Sequence, residues 1–352
     1  MTHIDIDYVR FIDRDGVAVT RPPEFANIRD TMIALYRAMV FTRAFDARAV
    51  ALQRTGRLGT YASSLGQEAT AVGIGHAMAA DDVFLPSFRE QGAQLVRGVT
   101  AKEILMYWGG DERGSDFAAC RHDFPVCIPV GSHAPHAAGV ALALKLDGGS
   151  RAALAAFGDG ATSRGDFYEA MNVAGVWSLP VVFVAVNNGW AISVPRSAQT
   201  AARTSPRRPS PRASKASRWT ATTSSPCATS SPRPPRRRAR EGGGPTSVEA
   251  LTYRLGDHTT VDDASRYRDD DEVAEHWTDD PVARTREWLT RAHGWSRDDE
   301  AALIESCESE VEQAVEAYLA EPAQVPESMF DFVHAKVPAA LARQRRAFPE
   351  GS

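Results

Sequence analysis

The pattern of apolar and polar positions predicts a chain built mainly from helices, with a few short buried strands between them. Residues 27–54 place apolar side chains at the spacing of an amphipathic helix. Residues 84–89 are predicted to be extended, and residues 109–131 to form a loop. Helical spacing, or a run of small residues suited to close packing, predicts four further helices: Ala69–Ala79, Ala134–Leu146, Ala301–Leu319 and Val333–Arg345.

One stretch near the middle of the chain has the pattern of a strand, a turn, a helix and a second strand. The apolar run Ala152–Phe157 has the length of a buried strand, and Asp166–Val176 has helical periodicity. Leu179 and Pro180 then interrupt the chain before the β-branched run Val181–Val186. Two strands joined through a helix are expected to lie parallel, with a right-handed crossover. A further strand is predicted at 247–253.

Composition indicates a soluble protein of the cytoplasm. The chain has 352 residues, of which 43% are hydrophobic, which is enough for a sizeable core. No apolar run approaches the ~18 residues of a membrane helix, and the acidic N-terminus lacks the charged and apolar regions of a secretory signal. The four cysteines share no metal-ligand spacing, so reduced thiols are expected.

The net charge of −5 conceals one strongly basic stretch. Residues 205–240 contain nine arginines, one lysine and no acidic residue. Removing those ten from the 40 basic residues leaves 30 against 45 acidic ones, a net charge of −15 for the rest of the chain. A basic arm that binds nucleic acid is one interpretation of such a stretch. It is disfavoured because aromatic residues other than Trp219 are missing from it.

Polar residues follow directly after the two predicted parallel strands. In parallel α/β sheets ligands bind beyond the carboxyl ends of the strands, where Asp159 and Asn188 are expected to converge. A carboxylate and an amide oxygen suit Mg²⁺, which keeps open positions for water and phosphate oxygens. Gly158 and Gly160 permit a close approach of the backbone, and the next helix N-terminus offers amides to phosphate. Each motif alone is more often a simple turn or loop, whereas their combination across one strand–helix–strand unit favours a diphosphate site.

The stretch from Gly158 to Ser197, GDGATSRGDFYEAMNVAGVWSLPVVFVAVNNGWAISVPRS, resembles the α subunit of the decarboxylating component of 2-oxo acid dehydrogenases. The resemblance covers residues 28–204 and 244–345. It implies an α/β fold with a doubly wound, mostly parallel sheet of the thiamine diphosphate-binding type, a helical N-terminal extension and a helical C-terminal region. The domains expected are residues 1–60 for the extension and 61–345 for the cofactor-binding domain, interrupted by 205–243.

The resemblance also implies roles for individual residues. Asp159 and Asn188 would bind Mg²⁺ through their side chains and Trp190 through its backbone carbonyl. The backbone around Gly158, Gly160 and Ala161 would contact the diphosphate. The remaining cofactor-binding positions implied by the resemblance are Phe88, Arg89, Val130 and His258.

The resemblance gives each of these four positions its own part in the site. Arg89 would supply a cation to the diphosphate, and Phe88 stands where the family usually has tyrosine. The backbone of Val130 would meet the aminopyrimidine ring. His258, in a loop expected to be flexible, would also be the catalytic residue that assists acyl transfer. Thr259 aligns with the regulatory serine of the family.

The implied function is oxidative decarboxylation of a 2-oxo acid, with acyl transfer to a lipoyl group. The cofactors are thiamine diphosphate and Mg²⁺. The chain resembles only the diphosphate-binding half of such an enzyme, so a separate β subunit is expected to complete the site. The implied assembly is an α2β2 heterotetramer on a lipoyl-bearing acyltransferase core, with no membrane or nucleic-acid partner. The motif Tyr107–Phe117 favours pyruvate as substrate over branched-chain 2-oxo acids, and acetoin is a more distant alternative.

Residues 204–244 depart from the resemblance. The family has a helix, a buried strand and another helix here, but residues 205–243 contain no Val, Ile, Leu, Phe or Met and many prolines. Such a composition buries too little apolar surface to offset chain entropy, so it predicts disorder and the loss of a strand beside the cofactor strands. A compensated frameshift, real or a sequencing error, is favoured over a natural insertion. The alternative function is then a damaged, non-catalytic chain that only binds its β partner.

Overall fold

A six-stranded parallel sheet forms the centre of the computed structural model of the chain. The structure describes residues 7–201, 215–220, 239–331 and 333–347, with only the backbone for Asp7 and residues 215–220. The sheet strands are β1 Asp7–Val9, β2 Val83–Leu85, β3 Ala153–Gly158, β4 Val181–Asn187, β7 Lys215–Thr220 and β8 Thr246–Leu251, in the spatial order β1-β7-β8-β4-β3-β2. Two short strands, β5 Trp190–Ala191 and β6 Val194–Pro195, form a separate antiparallel ribbon.

Eleven helices are assigned within the described residues, together with short 3-10 turns. They are α1 Arg29–Arg54, α2 Glu68–Ala77, α3 Gln91–Val96, α4 Ala101–Trp108, α5 His133–Leu146, α6 Gly165–Val176, α7 Arg196–Gln199, α8 Asp270–Trp277, α9 Pro281–His293, α10 Arg297–Leu319 and α11 Ala339–Arg345. The 3-10 turns are Glu24–Asn27, Glu112–Ser115, Asp159–Ser163, Ala264–Arg266 and Pro326–Phe330. None of the described helices is both long and apolar enough to cross a membrane.

The predicted strand–helix–strand unit is confirmed as β3, α6 and β4. The two strands are parallel neighbours, with Ala153 opposite Val181 and Gly158 opposite Val186. Every residue of β4 is buried, as expected for a parallel strand that has neighbours on both sides. The α/β class with a parallel sheet is therefore confirmed.

Helices cover both faces of the sheet because successive strand residues point in opposite directions. Ala153, Ala155 and Phe157 of β3 pack on α5 and α6. Leu154 and Ala156, one position along, belong to the second core, which includes residues of α2 and α3. The small residues predicted for close packing serve this purpose, since the alanines of α5 lie in the first core.

The later helices begin and end at residues that satisfy their free backbone groups. Asp280 accepts hydrogen bonds from the first amides of α9, where Pro281 occupies the first turn, and Gly294 ends the helix at a φ of 66°. Ser296 and Asp299 form a reciprocal capping box at the start of α10. These caps explain why two helices follow each other with only three residues between them.

The last helix is shorter than predicted. The expected start at Val333 is wrong, because α11 begins at Ala339 after the extended cap residue Pro338. A proline disfavours helical geometry at the residue before it, so the helix cannot extend back through Val337. The other predicted helices agree with the structure to within a few residues.

The basic, proline-rich stretch contributes one strand, which corrects the expectation that this strand would be lost. Lys215–Thr220 forms β7, hydrogen-bonded in parallel to β8 on one side and β1 on the other. The missing strand was expected beside the cofactor strands, whereas β8 separates β7 from the site strand β4. A β ladder is made by backbone groups, so it forms without the apolar side chains on which the prediction relied. The rest of 205–238 lies outside the described residues.

Candidate active site

Two neighbouring strands deliver the predicted polar residues to one cavity. Asp159 follows β3 directly and Asn188 follows β4, so both lie at the carboxyl edge of the sheet. Their side chains are buried, and both line a cavity of about 210 Å³. All ten residues selected from the sequence line this cavity: Phe88, Arg89, Val130, Gly158, Asp159, Gly160, Ala161, Asn188, Trp190 and His258.

The Asp159 carboxylate is only half satisfied by its surroundings. Its Oδ2 accepts a hydrogen bond of 2.9 Å from Nε2 of Gln199. Its Oδ1 is buried and has no hydrogen-bond partner among the described residues. Burial raises the pKa of this carboxyl above its usual value, because the charged form loses its solvation. A cation beside Oδ1 would satisfy that oxygen and reverse the shift.

Asn188 is held in a defined orientation. Its Nδ2 donates to Oε1 of Gln67 at 3.2 Å, and its Oδ1 accepts from the backbone N–H of Trp190 at 3.3 Å. The amide oxygen and the unpartnered Asp159 oxygen are hard oxygen donors of the kind Mg²⁺ prefers. In the described part of the chain no group of three or more His, Cys, Asp and Glu side chains could hold a metal. A site of one carboxylate, one amide and one carbonyl does not depend on such a cluster.

The two glycines around Asp159 differ in what surrounds them. A Cβ on Gly160 would lie 2.8 Å from the Cβ of Ala191, so glycine is needed for the ribbon to pack there. A Cβ on Gly158 would meet nothing within 4 Å, which leaves its backbone open to the cavity. The following residues differ from the expected helix N-terminus, because Asp159–Ser163 is a 3-10 turn and α6 begins only at Gly165.

Arg89 joins the cavity wall to the loop that carries His258. Its Nη1 donates to the Ser63 carbonyl at 2.5 Å, and its Nη2 lies 2.5 Å from the His258 carbonyl and 2.9 Å from His258 Nδ1. Phe88 packs edge-on against the His258 ring at 5.9 Å, and Arg89 lies 5.3 Å from the Phe88 ring centre. The substitution of phenylalanine for tyrosine therefore keeps a ring that positions His258.

His258 is a neutral imidazole in this environment. Burial, then the guanidinium groups of Arg89 and Arg254, lower the pKa of His258 to about 4. A guanidinium can only donate, so Nδ1 is the acceptor and the ring proton is on Nε2. His258 thus offers an N–H donor from Nε2 and carries no charge at neutral pH.

The loop of His258 is anchored by arginines at its two ends. Arg254 is buried, and its Nη2 donates to the carbonyl of Ile192 at 2.9 Å and to the Tyr267 hydroxyl at 2.8 Å. Arg268 donates to three carbonyls at the start of the loop, including that of Arg254. Asp262 accepts from the backbone N–H of His258 at 2.9 Å. These contacts fix the loop in one conformation in this structure.

Several cavity residues were not predicted: Gln67, Ser87, Glu90, Gly131, Phe157, Val186, Ala191 and Ile192. Gln67 precedes the small-residue helix α2, where a lone glutamine carries no recognisable pattern. Ile192 has a φ of 56°, which is strained for a β-branched residue and marks a constrained position at the site. Burial raises the pKa of Glu90 to about 7. Adjacency to predicted residues could have indicated five of them, namely Ser87, Glu90, Gly131, Phe157 and Ala191.

The profile of the dehydrogenase E1 component family matches residues 36–327, which include every residue of the cavity. The chain belongs to this family. Proteins named pyruvate dehydrogenase E1 component subunit alpha, from Staphylococcus epidermidis and Staphylococcus aureus, are each 33% identical over 368 residues. Each alignment covers 99% of this chain and 94% of the relative. The resemblance to α subunits of 2-oxo acid dehydrogenases is thus confirmed, and the chain is an oxidoreductase of a thiamine diphosphate-dependent family.

Proposed function

We propose that this chain acts with a β subunit in the oxidative decarboxylation of pyruvate and passes the acyl group to a lipoyl group of an acyltransferase core. The observation that carries the proposal is the cavity in which Asp159, with one unpartnered oxygen, meets Asn188, Arg89 and His258. The relatives named as pyruvate dehydrogenase subunits support pyruvate as the substrate. We place the enzyme in the cytoplasm because its few cysteines suit a reducing compartment.

The residues that would hold the cofactor follow from the donor set. Asp159 Oδ1, Asn188 Oδ1 and the Trp190 carbonyl would bind Mg²⁺ beside the diphosphate. The open backbone at Gly158, with Gly160 and Ala161, would face the phosphate oxygens. When bound, thiamine diphosphate would supply the carbanion chemistry and accept electrons as carbon dioxide leaves.

Arg89 and Val130 would serve two different parts of the same group. Arg89 remains cationic, although burial and Arg254 lower its pKa to about 10. It would therefore add a positive charge near the diphosphate, in a cavity where charges are poorly screened. Val130 is 44% exposed at the cavity wall, where its backbone would meet the aminopyrimidine ring.

His258 would act as an uncharged hydrogen-bond donor during acyl transfer. Its neutral ring has the proton on Nε2, while Nδ1 is occupied by Arg89. Arg89 and Phe88 fix the plane of the ring, so the donor direction is set before substrate binds. The β subunit would complete the site, in an α2β2 assembly.

The test is to purify this chain with its β subunit and to measure thiamine diphosphate binding with and without Mg²⁺. Saturable, Mg²⁺-dependent binding is expected, followed by carbon dioxide release from pyruvate with an artificial electron acceptor. Faster turnover of branched-chain 2-oxo acids would favour the branched-chain alternative. The isolated α chain is the control, and full activity without β would contradict the shared site.

A second function remains open because of residues 205–243. If this stretch is a lesion, the chain would bind its β partner without catalysis. A soluble α–β assembly that binds no thiamine diphosphate at any Mg²⁺ concentration would support that alternative and reject the enzyme.

A further inference from the structure

Gln67 lines the cavity and has one unused hydrogen-bond donor. The residue is 3% exposed and lines the cavity wall beside Asn188. Its Nε2 is buried and has no hydrogen-bond partner among the residues that the structure describes. Leaving a buried amide N–H unpaired costs free energy, so an acceptor in the cavity is expected.

The backbone of Gln67 is fixed from two sides. Its N–H donates to the Ser64 carbonyl at 2.9 Å, which closes a tight turn. The preceding Gly66 has a φ of 88°, and its carbonyl accepts from Oγ1 of Thr252 at 2.6 Å. A Cβ on Gly66 would collide with the Tyr253 carbonyl oxygen. The turn therefore holds the backbone of Gln67 in place in the cavity wall.

The polarity of the Gln67 amide is set by the backbone of Trp190. The Trp190 N–H donates to one terminal atom of Asn188, so that atom must be the oxygen Oδ1. Nδ2 of Asn188 then faces Gln67, which must present its oxygen Oε1 to it at 3.2 Å. Reversing Asn188 would place two donors against each other at Trp190. The group that Gln67 has left for the cavity is consequently the N–H donor.

We infer that Gln67 donates from Nε2 to an anionic phosphoryl oxygen of the bound diphosphate, an inference that rests on the proposed function. A water on the cation is a poor acceptor, because its lone pair is directed at the metal. A phosphoryl oxygen carries negative charge and free lone pairs, and hydrogen bonds to such oxygens are stronger than neutral ones. Gln67 thereby joins the anion to Asn188, one of the two side chains expected to bind the cation.

The experiment compares Gln67→Glu and Gln67→Met with wild type in the purified α–β assembly. Glutamate keeps the shape and the acceptor for Asn188 but has no N–H donor when ionised, and methionine removes both. The dissociation constant of thiamine diphosphate at saturating Mg²⁺ is expected to rise about tenfold or more in both variants. Inorganic diphosphate with Mg²⁺ is a probe without the thiamine rings. Its affinity, measured by displacement of thiamine diphosphate, is expected to fall in parallel. The matched control is Gln94→Met, a buried glutamine on α3 outside this cavity, which is expected to bind normally.

The outcomes separate this inference from the proposed function. If wild type binds and both Gln67→Glu and Gln67→Met bind equally well, the donor role is rejected while the proposed function stands. If wild type itself shows no Mg²⁺-dependent binding, the proposed function fails and this inference fails with it. If the Gln67 variants bind thiamine diphosphate more weakly but bind inorganic diphosphate as wild type does, Gln67 contacts another part of the cofactor. The phosphoryl assignment is then wrong.

Discussion

Asp159 combines burial with an unsatisfied oxygen, and this combination sets its energetic role. Because its folded pKa is raised, the ionised side chain destabilises the unliganded protein above that pKa, and the penalty disappears as pH falls through it. We expect Asp159→Asn to unfold in urea at a midpoint no lower than wild type without ligand. Mg²⁺ with thiamine diphosphate would raise the urea midpoint of wild type but not that of Asp159→Asn. Equal stabilisation of both proteins by the ligands would contradict the role of Asp159 as a metal ligand.

His258 predicts a pH dependence of opposite sign. Its folded pKa of about 4 lies below the ordinary value of 6.5, so the unfolded chain takes up a proton that the folded chain does not. Stability is therefore expected to fall as pH drops from about 6.5 towards 4. In His258→Asn this part of the acid sensitivity would be missing, as measured by urea midpoints at pH 7 and pH 5. His334→Asn, in the C-terminal segment, is the control and should keep the wild-type pH dependence.

At the scale of elements, the turn before α2 depends on Gly66. Alanine here would adopt a left-handed φ and also collide with the Tyr253 carbonyl, so we expect a loss of about 3 kcal/mol or more. Gly56 offers a matched control, since its φ is 73° but a Cβ there meets nothing within 4 Å. Gly56→Ala is expected to cost only about 1–2 kcal/mol. Equal unfolding free energies for the two variants would show that the collision is relieved elsewhere.

Three helices are joined by one partly buried arginine. Arg43 of α1 donates to Glu68 of α2 at 2.8 Å and to both oxygens of Asp280 before α9. The substitution Arg43→Met leaves two buried carboxyl groups without their cationic partner. We therefore expect a loss of about 3–5 kcal/mol in unfolding free energy. Arg48→Met breaks the exposed pair with Glu312 on the same helix and is expected to cost less than about 1 kcal/mol.

Each strand could be predicted only as far as its own residues show a recognisable pattern. The strand β4 is buried on both faces and has a continuous apolar run rich in valine, so it was predicted almost to its ends. The ribbon of β5 and β6 has two residues per strand and no detectable period. The strand β7 was missed because backbone pairing, which a composition cannot reveal, defines it.

At the scale of the whole molecule, β7 supports the frameshift hypothesis. A parallel strand with a neighbour on each side is normally rich in Val, Ile and Leu, whereas this one reads Lys-Ala-Ser-Arg-Trp-Thr. We expect resequencing of codons 200–245 to reveal a frame with β-branched residues at this position, and the intact mass of the purified protein to differ from the mass of the present sequence. A confirmed read and a matching mass would instead make the stretch a genuine part of the chain.

The site as a whole was predictable because its polar residues follow strands whose pairing was predictable. Asp159 and Asn188 were placed together by strand order alone, and Arg89 and His258 by resemblance. The contacts of Gln67 and Gln199 were not foreseen, because they join segments that are 121 and 40 residues apart along the chain. Hydrogen bonds of this kind become visible only once the backbone path is known.

Two of the unsatisfied atoms among the described residues of the cavity have a consequence for the lifetime of the protein in the cell. In the proposed site, a bound cation and diphosphate would satisfy the buried Oδ1 of Asp159 and the buried Nε2 of Gln67, which would favour the bound form over the empty one. Anything that binds only the folded state reduces the population of unfolded chains open to proteolysis. The abundance of this subunit is therefore expected to follow the supply of thiamine diphosphate, with newly made chains degraded faster when the vitamin is scarce.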